Sequence, residues 1–288
     1  MFNDYRARIA VVGALGALLL LLTGGQAMTS GVGASSDLPS CERIADFDPT
    51  NFSDPTNIDN EWSPMVPGTQ MVLEGVADDV PHRVVSTVSD LTKVINGVRT
   101  VVILETDISE GEVVETELAF KAQDDDGNVW NLGEYPEEYE DGEFVGAPST
   151  WIAGVEDAEG GLLMQGEPQV GTGYYLQGSV PSIDFLDCAK VLATGEQACV
   201  PFNCYEDVLV TDERAPLEPP EGHQRKFYAS GVGNIAVGAT GSSGEVLELA
   251  GVVHLRSGDL ARANREALRL EKRAYKVSDV YAETPPAE

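Results

Sequence analysis

Carboxylate and aromatic side chains that could form a catalytic site are concentrated in residues 134–140, which read Glu-Tyr-Pro-Glu-Glu-Tyr-Glu. Paired carboxylates hydrolyse glycosidic bonds by general acid and base catalysis, and an aromatic ring such as that of Trp151 can stack on a sugar. A histidine, His82 or His223, could serve as the general base. The cluster predicts an extracytoplasmic hydrolase as one candidate function, although a chain with 48 acidic residues also gathers carboxylates without a catalytic role.

No established catalytic pattern accompanies that cluster. The three histidines, His82, His223 and His254, form neither a His-Glu-x-x-His nor a His-x-His motif, and the sequence contains no Gly-x-Ser-x-Gly elbow or Walker loop. The sequence therefore favours a binding protein over an enzyme.

A second group of oxygen donors lies in residues 46–61, where the tetrapeptide Asp-Pro-Thr-Asn occurs twice. Calcium takes about six to eight oxygen ligands and suits such a segment. Acidic side chains beside proline also cap turns by local hydrogen bonds, which is the structural alternative. No other cofactor is predicted, and the candidate calcium ligands are Asp46, Asp48, Asp54 and Asp59.

The four cysteines predict two disulfides if the protein is exported to an oxidising compartment. Cys199 and Cys204 flank a predicted hairpin tip, so their proximity favours pairing them with each other and Cys41 with Cys188. Three pairings are possible in principle, and free thiols are the alternative.

Most of the chain between residues 69 and 255 is predicted to form antiparallel strands. Asn96 and Gly97 separate two β-branched runs, a strong signal for a two-residue hairpin turn. Further turns are predicted at residues 109–111 and 126–127. Residues 112–122 alternate apolar and acidic side chains, a pattern typical of a strand with one buried face and one solvated face.

One amphipathic helix is predicted at the end of the chain, over residues 257–278, with Ser257 as its N-cap. Leu260, Ala263, Ala267 and Leu270 begin an apolar stripe that recurs every three or four residues. We expect this stripe to pack on the sheet. The opposite face is rich in Arg and Lys and is either a solvated face drawn to an acidic body or a surface for a partner.

The N-terminal sequence and the net charge of the chain indicate the cellular compartment of the protein. Arg6 and Arg8 precede an apolar run over residues 9–22, followed by small residues, which is the pattern of a secretory signal cleaved after Ala27. The run is shorter than the roughly 20 residues that a membrane-spanning helix needs, so no integral span is expected after cleavage. A formal net charge of −30 repels nucleic acid, which excludes it as a partner. The protein is predicted to be secreted or extracytoplasmic.

Three sequence stretches resemble a family of uncharacterised exported bacterial proteins. They are Ile-Asp-Asn-Glu-Trp-Ser-Pro-Met-Val-Pro-Gly-Thr at residues 58–69, Ala-Gln-Asp with Gly-Asn-Val-Trp-Asn-Leu-Gly-Glu at residues 122–134, and Phe-Tyr-Ala-Ser-Gly-Val-Gly at residues 227–233. The stretches are also similar to domains with open, curved sheets like the lipoprotein carriers LolA and LolB. That resemblance implies an open half-barrel whose concave face is closed by a helix or loops.

These observations predict a mainly β protein, an antiparallel curved sheet or open half-barrel with the terminal helix packed on it. We expect a signal peptide over residues 1–27, a flexible segment over residues 28–45 and a single β-rich domain over residues 46–288. The predicted function is binding of a hydrophobic small molecule in a cavity between sheet and helix. Its predicted lining, which could instead be a filled core, is Trp130, Leu132, Trp151 and Tyr228.

Overall fold

A computed structural model describes residues 41–217, 222–240 and 244–288. The predicted signal peptide and most of the segment that follows it lie outside these residues. None of the described helices is both long enough and apolar enough to cross a bilayer.

The described chain is built mainly of long antiparallel strands, with helical structure at its end. The strands are β1 (Thr69–Ala77), β2 (Val80–Ile95), β3 (Val98–Ser109), β4 (Glu112–Gln123), β5 (Val129–Glu140), β6 (Glu143–Gly146), β7 (Trp151–Ile152), β8 (Glu159–Met164), β9 (Tyr175–Val180), β10 (Phe185–Cys199), β11 (Cys204–Ala215), β12 (Gly222–Ala229), β13 (Gly233–Ala239) and β14 (Val246–His254). The helices are α1 (Ser257–Val277) and α2 (Asp279–Ala282).

Twelve strands follow one another around a closed barrel, while the short strands β6 and β7 pair with β5 outside that circuit. The first and last strands complete the circuit, because β1 pairs with β14 from Thr69 opposite His254 to Val76 opposite Val246. The prediction of a mainly antiparallel sheet is confirmed, whereas the open half-barrel is wrong. Closure removes the two exposed edges that an open sheet would leave without hydrogen-bond partners.

The predicted hairpin turns are confirmed. Asn96 and Gly97 connect β2 to β3 with φ angles of 46° and 82°, which a two-residue turn of this hand requires. Residues 109–111 lead from β3 into β4, and the turn at residues 126–127 lies between β4 and β5. Neighbouring strands in sequence are therefore neighbours in the barrel.

The terminal helix lies against the outside of the barrel. Its stripe residues Ala267, Leu270 and Ala274 pack in one apolar cluster with Leu118 and Phe120 of β4. Alternate side chains of a strand point to opposite faces, so the intervening residues of β4 point into the barrel. The predicted helix is confirmed to within one residue, although Arg256 rather than Ser257 occupies the N-cap.

Lys93 of β2 ties the end of the chain to this outer face. Its ammonium group is fully buried and lies 2.8 Å from the Glu271 carboxylate of α1. It also donates a hydrogen bond to the Pro285 carbonyl at 2.6 Å and lies 4.4 Å from the centre of the Tyr281 ring. A buried cation is stable only when it is paired in this way.

One end of the barrel is filled by a plug that precedes β1, formed by residues 58–65. Ile58 and Trp62 of the plug are buried against interior side chains such as Val101 and Leu209. The three stretches that carry the family resemblance meet here. The Asn60 amide donates to Gln123 at 2.8 Å, its side chain donates to the carbonyl of Gly127 at 2.9 Å, and Gly231 donates to the carbonyl of Glu61 at 2.8 Å.

Two disulfides connect the cysteines in the pairing that the sequence favoured. Cys199 and Cys204 join β10 to β11 across the hairpin tip, with Cα atoms 4.0 Å apart. Cys41 is joined to Cys188 of β10 with Cα atoms 5.8 Å apart, which attaches the start of the described chain to the barrel wall.

Candidate binding cavity inside the barrel

The barrel encloses a cavity of about 230 Å³. Every barrel strand except β14 contributes side chains to its lining, and the plug contributes Ser63, Pro64 and Met65. A separate pocket of about 150 Å³ lies between β7 and the end of α1, with Trp151, Ile152 and Val277 in its lining, whereas no residue of α1 lines the interior cavity, which is therefore not the predicted one between sheet and helix. The space lies on the other side of the sheet because the helix covers the outer surface.

Charged groups line this cavity, with more acids than bases. The carboxylates are Glu105, Glu117, Glu134, Asp187 and Glu213, and the side chains that are always positive are Lys121, Arg214 and Lys226. Buried charges are costly unless they are paired, so the partners of each group decide what the cavity can bind.

Gly133 determines how β5 presents its polar groups to the cavity. The register between β4 and β5 shifts between Ala119 and Lys121, and Gly133 adopts a φ of 151° at this irregularity. Asn131 and Glu134, three positions apart, consequently both line the cavity. A regular strand would send them to opposite faces.

Lys121 of β4 contacts both polar side chains, Asn131 and Glu134, that the irregular part of β5 places in the cavity. Its ammonium group lies 2.8 Å from the Asn131 side-chain oxygen and 3.2 Å from a Glu134 oxygen. Glu134 also accepts hydrogen bonds from the Asn131 amide at 2.8 Å and from the Trp151 indole at 3.1 Å. Both Lys121 and Glu134 are therefore committed to this network.

Lys226 of β12 forms a second committed pair, with Glu213 of β11 at 2.8 Å. Burial acts to lower the pKa of Lys226, but the charge and hydrogen bond of Glu213, with the charges of Asp187 and Glu245, raise it overall. The Tyr228 hydroxyl donates a hydrogen bond to Glu213 at 3.2 Å. Burial and the Glu213 charge raise the pKa of Tyr228, so it remains a neutral donor.

The inward face of β3 and β4 carries an acidic ladder, which we define as Glu105, Asp107, Glu115 and Glu117. Glu105 lies directly opposite Glu117 in the strand register, and Asp107 lies directly opposite Glu115. Like charges in directly opposite positions destabilise a sheet. The ladder is therefore an unfavourable arrangement for an empty barrel in which all four groups are ionised.

Glu117 is the least satisfied member of the ladder. The residue is 3 % exposed, lines the cavity, and its Oε2 atom has no hydrogen-bond partner among the described residues. Burial and the charges of Glu134 and Glu105 raise the pKa of Glu117 well above its ordinary value. Burial and the charge of Asp107 raise the pKa of Glu105 to about 7, although a Ser86 hydrogen bond and the charges of Lys121 and Lys226 oppose this shift.

A further buried group stands beside the ladder near the start of β14. The Glu245 carboxylate lies 3.9 Å from the His82 ring and accepts a hydrogen bond from Gln224 at 2.6 Å. Burial and the charge of Asp107 raise the pKa of Glu245 to about 8, against the charge of Lys226 and the Gln224 hydrogen bond.

An apolar wall adjoins the ladder around the barrel. Strands β2 and β1 follow β3 in the sheet order, and their cavity-lining side chains are mostly apolar. Ile103 of β3 lies opposite Val88 of β2, and Leu73 of β1 lies opposite Val84 of β2. The other apolar lining residues include Met65, Met71, Leu163 and Val237. The cavity thus has an acidic side and an apolar side.

Of the four predicted lining residues, Tyr228 lines the cavity. Trp130, Leu132 and Trp151 belong to the apolar cluster that also contains the helix stripe. The Trp130 indole donates to Asp124 at 2.7 Å and its ring packs edge-on against Phe47, with centroids 5.4 Å apart. Trp130 and Trp151 also line two separate pockets, of about 220 and 150 Å³ respectively, so their role in binding a ligand stays a prediction.

Of the predicted hydrolase residues, Glu134 and His223 both line the interior cavity, but their side chains are paired with other residues. Glu134 faces the cavity, whereas the Glu137 carboxylate pairs with Arg273 of α1 at 2.8 Å on the outside. His82 lies 3.7 Å from Asp107, and His223 lies 2.7 Å from Asp212. Neither histidine forms a pair with a carboxylate of residues 134–140.

Among the predicted calcium ligands, Asp48 organises a turn and Asp59 bonds a distant side chain. Asp48 accepts a hydrogen bond from the Thr50 amide at 2.9 Å, and this bond, with that from the Thr50 hydroxyl, lowers the pKa of Asp48. Asp59 accepts a hydrogen bond from Gln123 at 2.7 Å. Over the described residues, Asp46, Asp48, Asp54 and Asp59 are not part of any group of three or more potential ligands that could hold a metal ion.

The residues that sequence reasoning missed are those of the acidic ladder, whose only sequence signal is an acidic alternation in two neighbouring strands.

No model of a protein family and no curated protein sequence matches this chain. A solved structure from Bacteroides fragilis, of a protein described as exported and as having a YmcC-like fold, is 13% identical and has a TM-score of 0.37, covering 67% of this chain and 99% of its own. A protein from Parabacteroides distasonis described as a lipoprotein is 12% identical with a TM-score of 0.39, covering 68% of this chain and 100% of its own. Similarity at this level does not indicate a function for this chain, so the properties of the cavity are the remaining guide to it. The resemblance to LolA and LolB stays a prediction.

Proposed function

We propose that the protein is an exported, non-enzymatic binding protein that holds a small molecule with an apolar body in the cavity inside its barrel. The observation that carries this proposal is a cavity lined from nearly the whole circumference of the barrel and by the plug. Protein interiors are normally close-packed, so a space of this volume inside the barrel needs an explanation.

The size of the cavity supports a ligand rather than a packing fault. An apolar cavity of roughly 150 Å³ is sufficient to bind benzene. The cavity of about 230 Å³ found here is larger, and one side of it is apolar. Barrels with more strands than the smallest closed ones enclose space that side chains do not fill, and some of these barrels hold ligands.

The compartment follows from the covalent structure. Two disulfides are typical of proteins in oxidising, extracytoplasmic surroundings, which agrees with the predicted secretory signal. A strongly acidic net charge favours solubility, and the salt of a saline medium would screen the self-repulsion that this charge imposes on the folded chain.

The proposal is tested by filling the cavity. Ala119 lines it from β4, and Val113 of the same strand is 39 % exposed. We expect Ala119→Phe to weaken the binding of an environment-sensitive apolar dye at least about tenfold, because a phenyl group replaces space that the dye needs. Val113→Phe should bind the dye as the parent protein does. Thermal unfolding identifies variants that fold, and Ala119→Met provides a smaller filling if the larger one does not.

Equal dye binding by a folded Ala119→Phe variant would refute the interior site. Native mass spectrometry of protein purified from its own host provides an independent measurement, since a retained molecule would appear as added mass.

A further inference from the structure

We propose that the ligand of the interior cavity is an organic ammonium, whose cationic head is bound by Glu105 and Glu117 and whose apolar body lies against the wall formed by β1 and β2. This inference rests on the proposed function and specifies the chemical class of molecule that the same cavity takes.

The first step of the argument is the arrangement of the two carboxylates. Glu105 and Glu117 are cross-strand partners on the inward face of the barrel, and both line the cavity. Side chains in directly opposite positions have Cβ atoms about 4.5–5.5 Å apart, so a single cation can contact both. A bound ammonium turns a repulsive pair into an attractive set of three charges.

The second step is that the neighbouring cations are committed to other acids. Lys121 contacts Glu134 and Asn131, and Lys226 contacts Glu213. Within the described chain, Glu117 is nearly fully buried and its Oε2 atom has no hydrogen-bond donor. A buried acceptor without a donor is costly, and an ammonium provides up to three N–H donors.

The third step is that the described side chains form no multidentate metal site. No group of three or more acidic, His or Cys side chains in the described ranges has a geometry that could hold a metal ion. Calcium in particular takes about six to eight oxygen ligands. Two carboxylates beside an apolar wall suit a singly charged head attached to an apolar body.

The fourth step is that the apolar side of the cavity adjoins the acidic ladder. Ser86 of β2 lies opposite Glu105, and Met71 of β1 lies opposite Ser86. The chain of contacts from the ladder therefore leads directly to the apolar lining residues Met71, Leu73, Val84 and Val88. A ligand with its charge at one end can satisfy both sides of the cavity at once.

The test compares three ligands that share a six-carbon chain and differ in the head group. Hexylammonium, 1-hexanol and hexanoate are titrated into the full mature protein at neutral pH and low salt, and binding is measured by calorimetry or NMR. We expect hexylammonium to bind at least about tenfold more tightly than the other two, as hydrogen bonds to a buried charged group predict.

The same titrations are repeated on Glu117→Gln and Glu105→Gln. Each variant should lose most of the preference for hexylammonium while still binding 1-hexanol, which also shows that the variant is folded. Glu112→Gln is the matched control, because Glu112 lies on the same strand as Glu117 and is exposed. It should leave all three affinities unchanged.

The outcomes separate the two proposals. If hexylammonium and 1-hexanol bind equally, or if the preference survives both interior variants, the ammonium assignment is overturned and the apolar binding site stands. If calcium binds at the ladder and excludes hexylammonium, the assignment is also overturned. If none of the three six-carbon ligands binds, both the ammonium assignment and the proposed function fail.

Discussion

Gly133 is the residue that allows β5 to place two polar side chains in the cavity. A Cβ atom built at this position would lie 2.8 Å from the Trp151 carbonyl oxygen, and the φ of 151° is one that other residues rarely adopt. The irregularity brings Asn131 and Glu134 to the same face, where Lys121 contacts both. The arrangement of polar groups in the cavity therefore depends on the backbone conformation of Gly133 as well as on the charged side chains.

We predict that Gly133→Ala lowers the free energy of unfolding by roughly 1–3 kcal/mol, because the variant combines a close contact with an unfavourable φ. Gly251→Ala is the control: Gly251 lies in β14, and an added Cβ there meets nothing within 4 Å. Urea unfolding measures both. If the two variants lose unfolding free energy by amounts that agree to within about 0.5 kcal/mol, a side chain at position 133 causes no special strain.

Helix α1 is the element whose role differs most from the sequence prediction. The helix was predicted to cover a ligand cavity between itself and the sheet, yet its stripe packs against the outward side chains of β4 and completes an apolar cluster there. Small side chains let the helix approach the strands closely. The helix therefore contributes to stability, and the interior cavity does not depend on it for a wall.

Leu270→Ala is expected to destabilise the protein by about 2–5 kcal/mol, since it leaves a cavity in the cluster beneath the helix. Leu268 of the same helix is 39 % exposed, compared with 1 % for Leu270, so Leu268→Ala should cost no more than about 0.5 kcal/mol. Denaturant unfolding gives both values. Dye binding should be equal in the two folded variants, and a selective loss in Leu270→Ala would instead mean that the helix shapes the cavity.

At the scale of the whole molecule, acidity is distributed between the surface and the interior. The formal net charge is −30, and part of the negative charge lies inside the barrel. The Glu105 carboxyl faces Asp107 on its own strand, Glu117 and Lys121 on β4, and Lys226 on β12. The Glu245 carboxyl faces Asp107, Lys226, Glu105 and His82.

This interior acidity predicts how stability varies with pH. The pKa values of Glu105 and Glu245 are raised from 4.5 to about 7 and about 8, so between pH 4.5 and 8 the folded protein binds more protons than the unfolded chain. Stability therefore falls as pH rises through this window, and it falls again in acid, where carboxylates with lowered pKa values such as Asp212 become protonated.

We expect the ligand-free protein to be more stable at pH 5.5 than at pH 8 by roughly 2 kcal/mol or more. Calorimetric melting at constant ionic strength measures the difference. A variant that combines Glu105→Gln with Glu245→Gln should show a smaller difference, and adding Glu117→Gln, which removes a third carboxyl with a raised pKa, should reduce it further. If the triple variant retains the full pH dependence, these three interior carboxylates are not responsible for it.

Features that depend on a few neighbouring residues could be predicted from the amino-acid sequence. Asn96 and Gly97 require a particular turn because of their backbone preferences, and the helix over residues 257–277 follows from a stripe within one segment. The pairing of Cys199 with Cys204 followed from the predicted hairpin between them. In each case the decisive interactions lie close together in the chain.

The face of each strand that points inward could not be predicted from the sequence, because it depends on contacts between distant strands. Alternation in residues 112–122 predicted one buried and one solvated face, but the structure buries both: Leu118 and Phe120 face the helix cluster, and Glu117 lines the cavity. That outcome depends on the pairing of β1 with β14, whose partners are far apart in the chain. Strand periodicity distinguishes two faces of a sheet, whereas closure of the barrel determines which face becomes the interior.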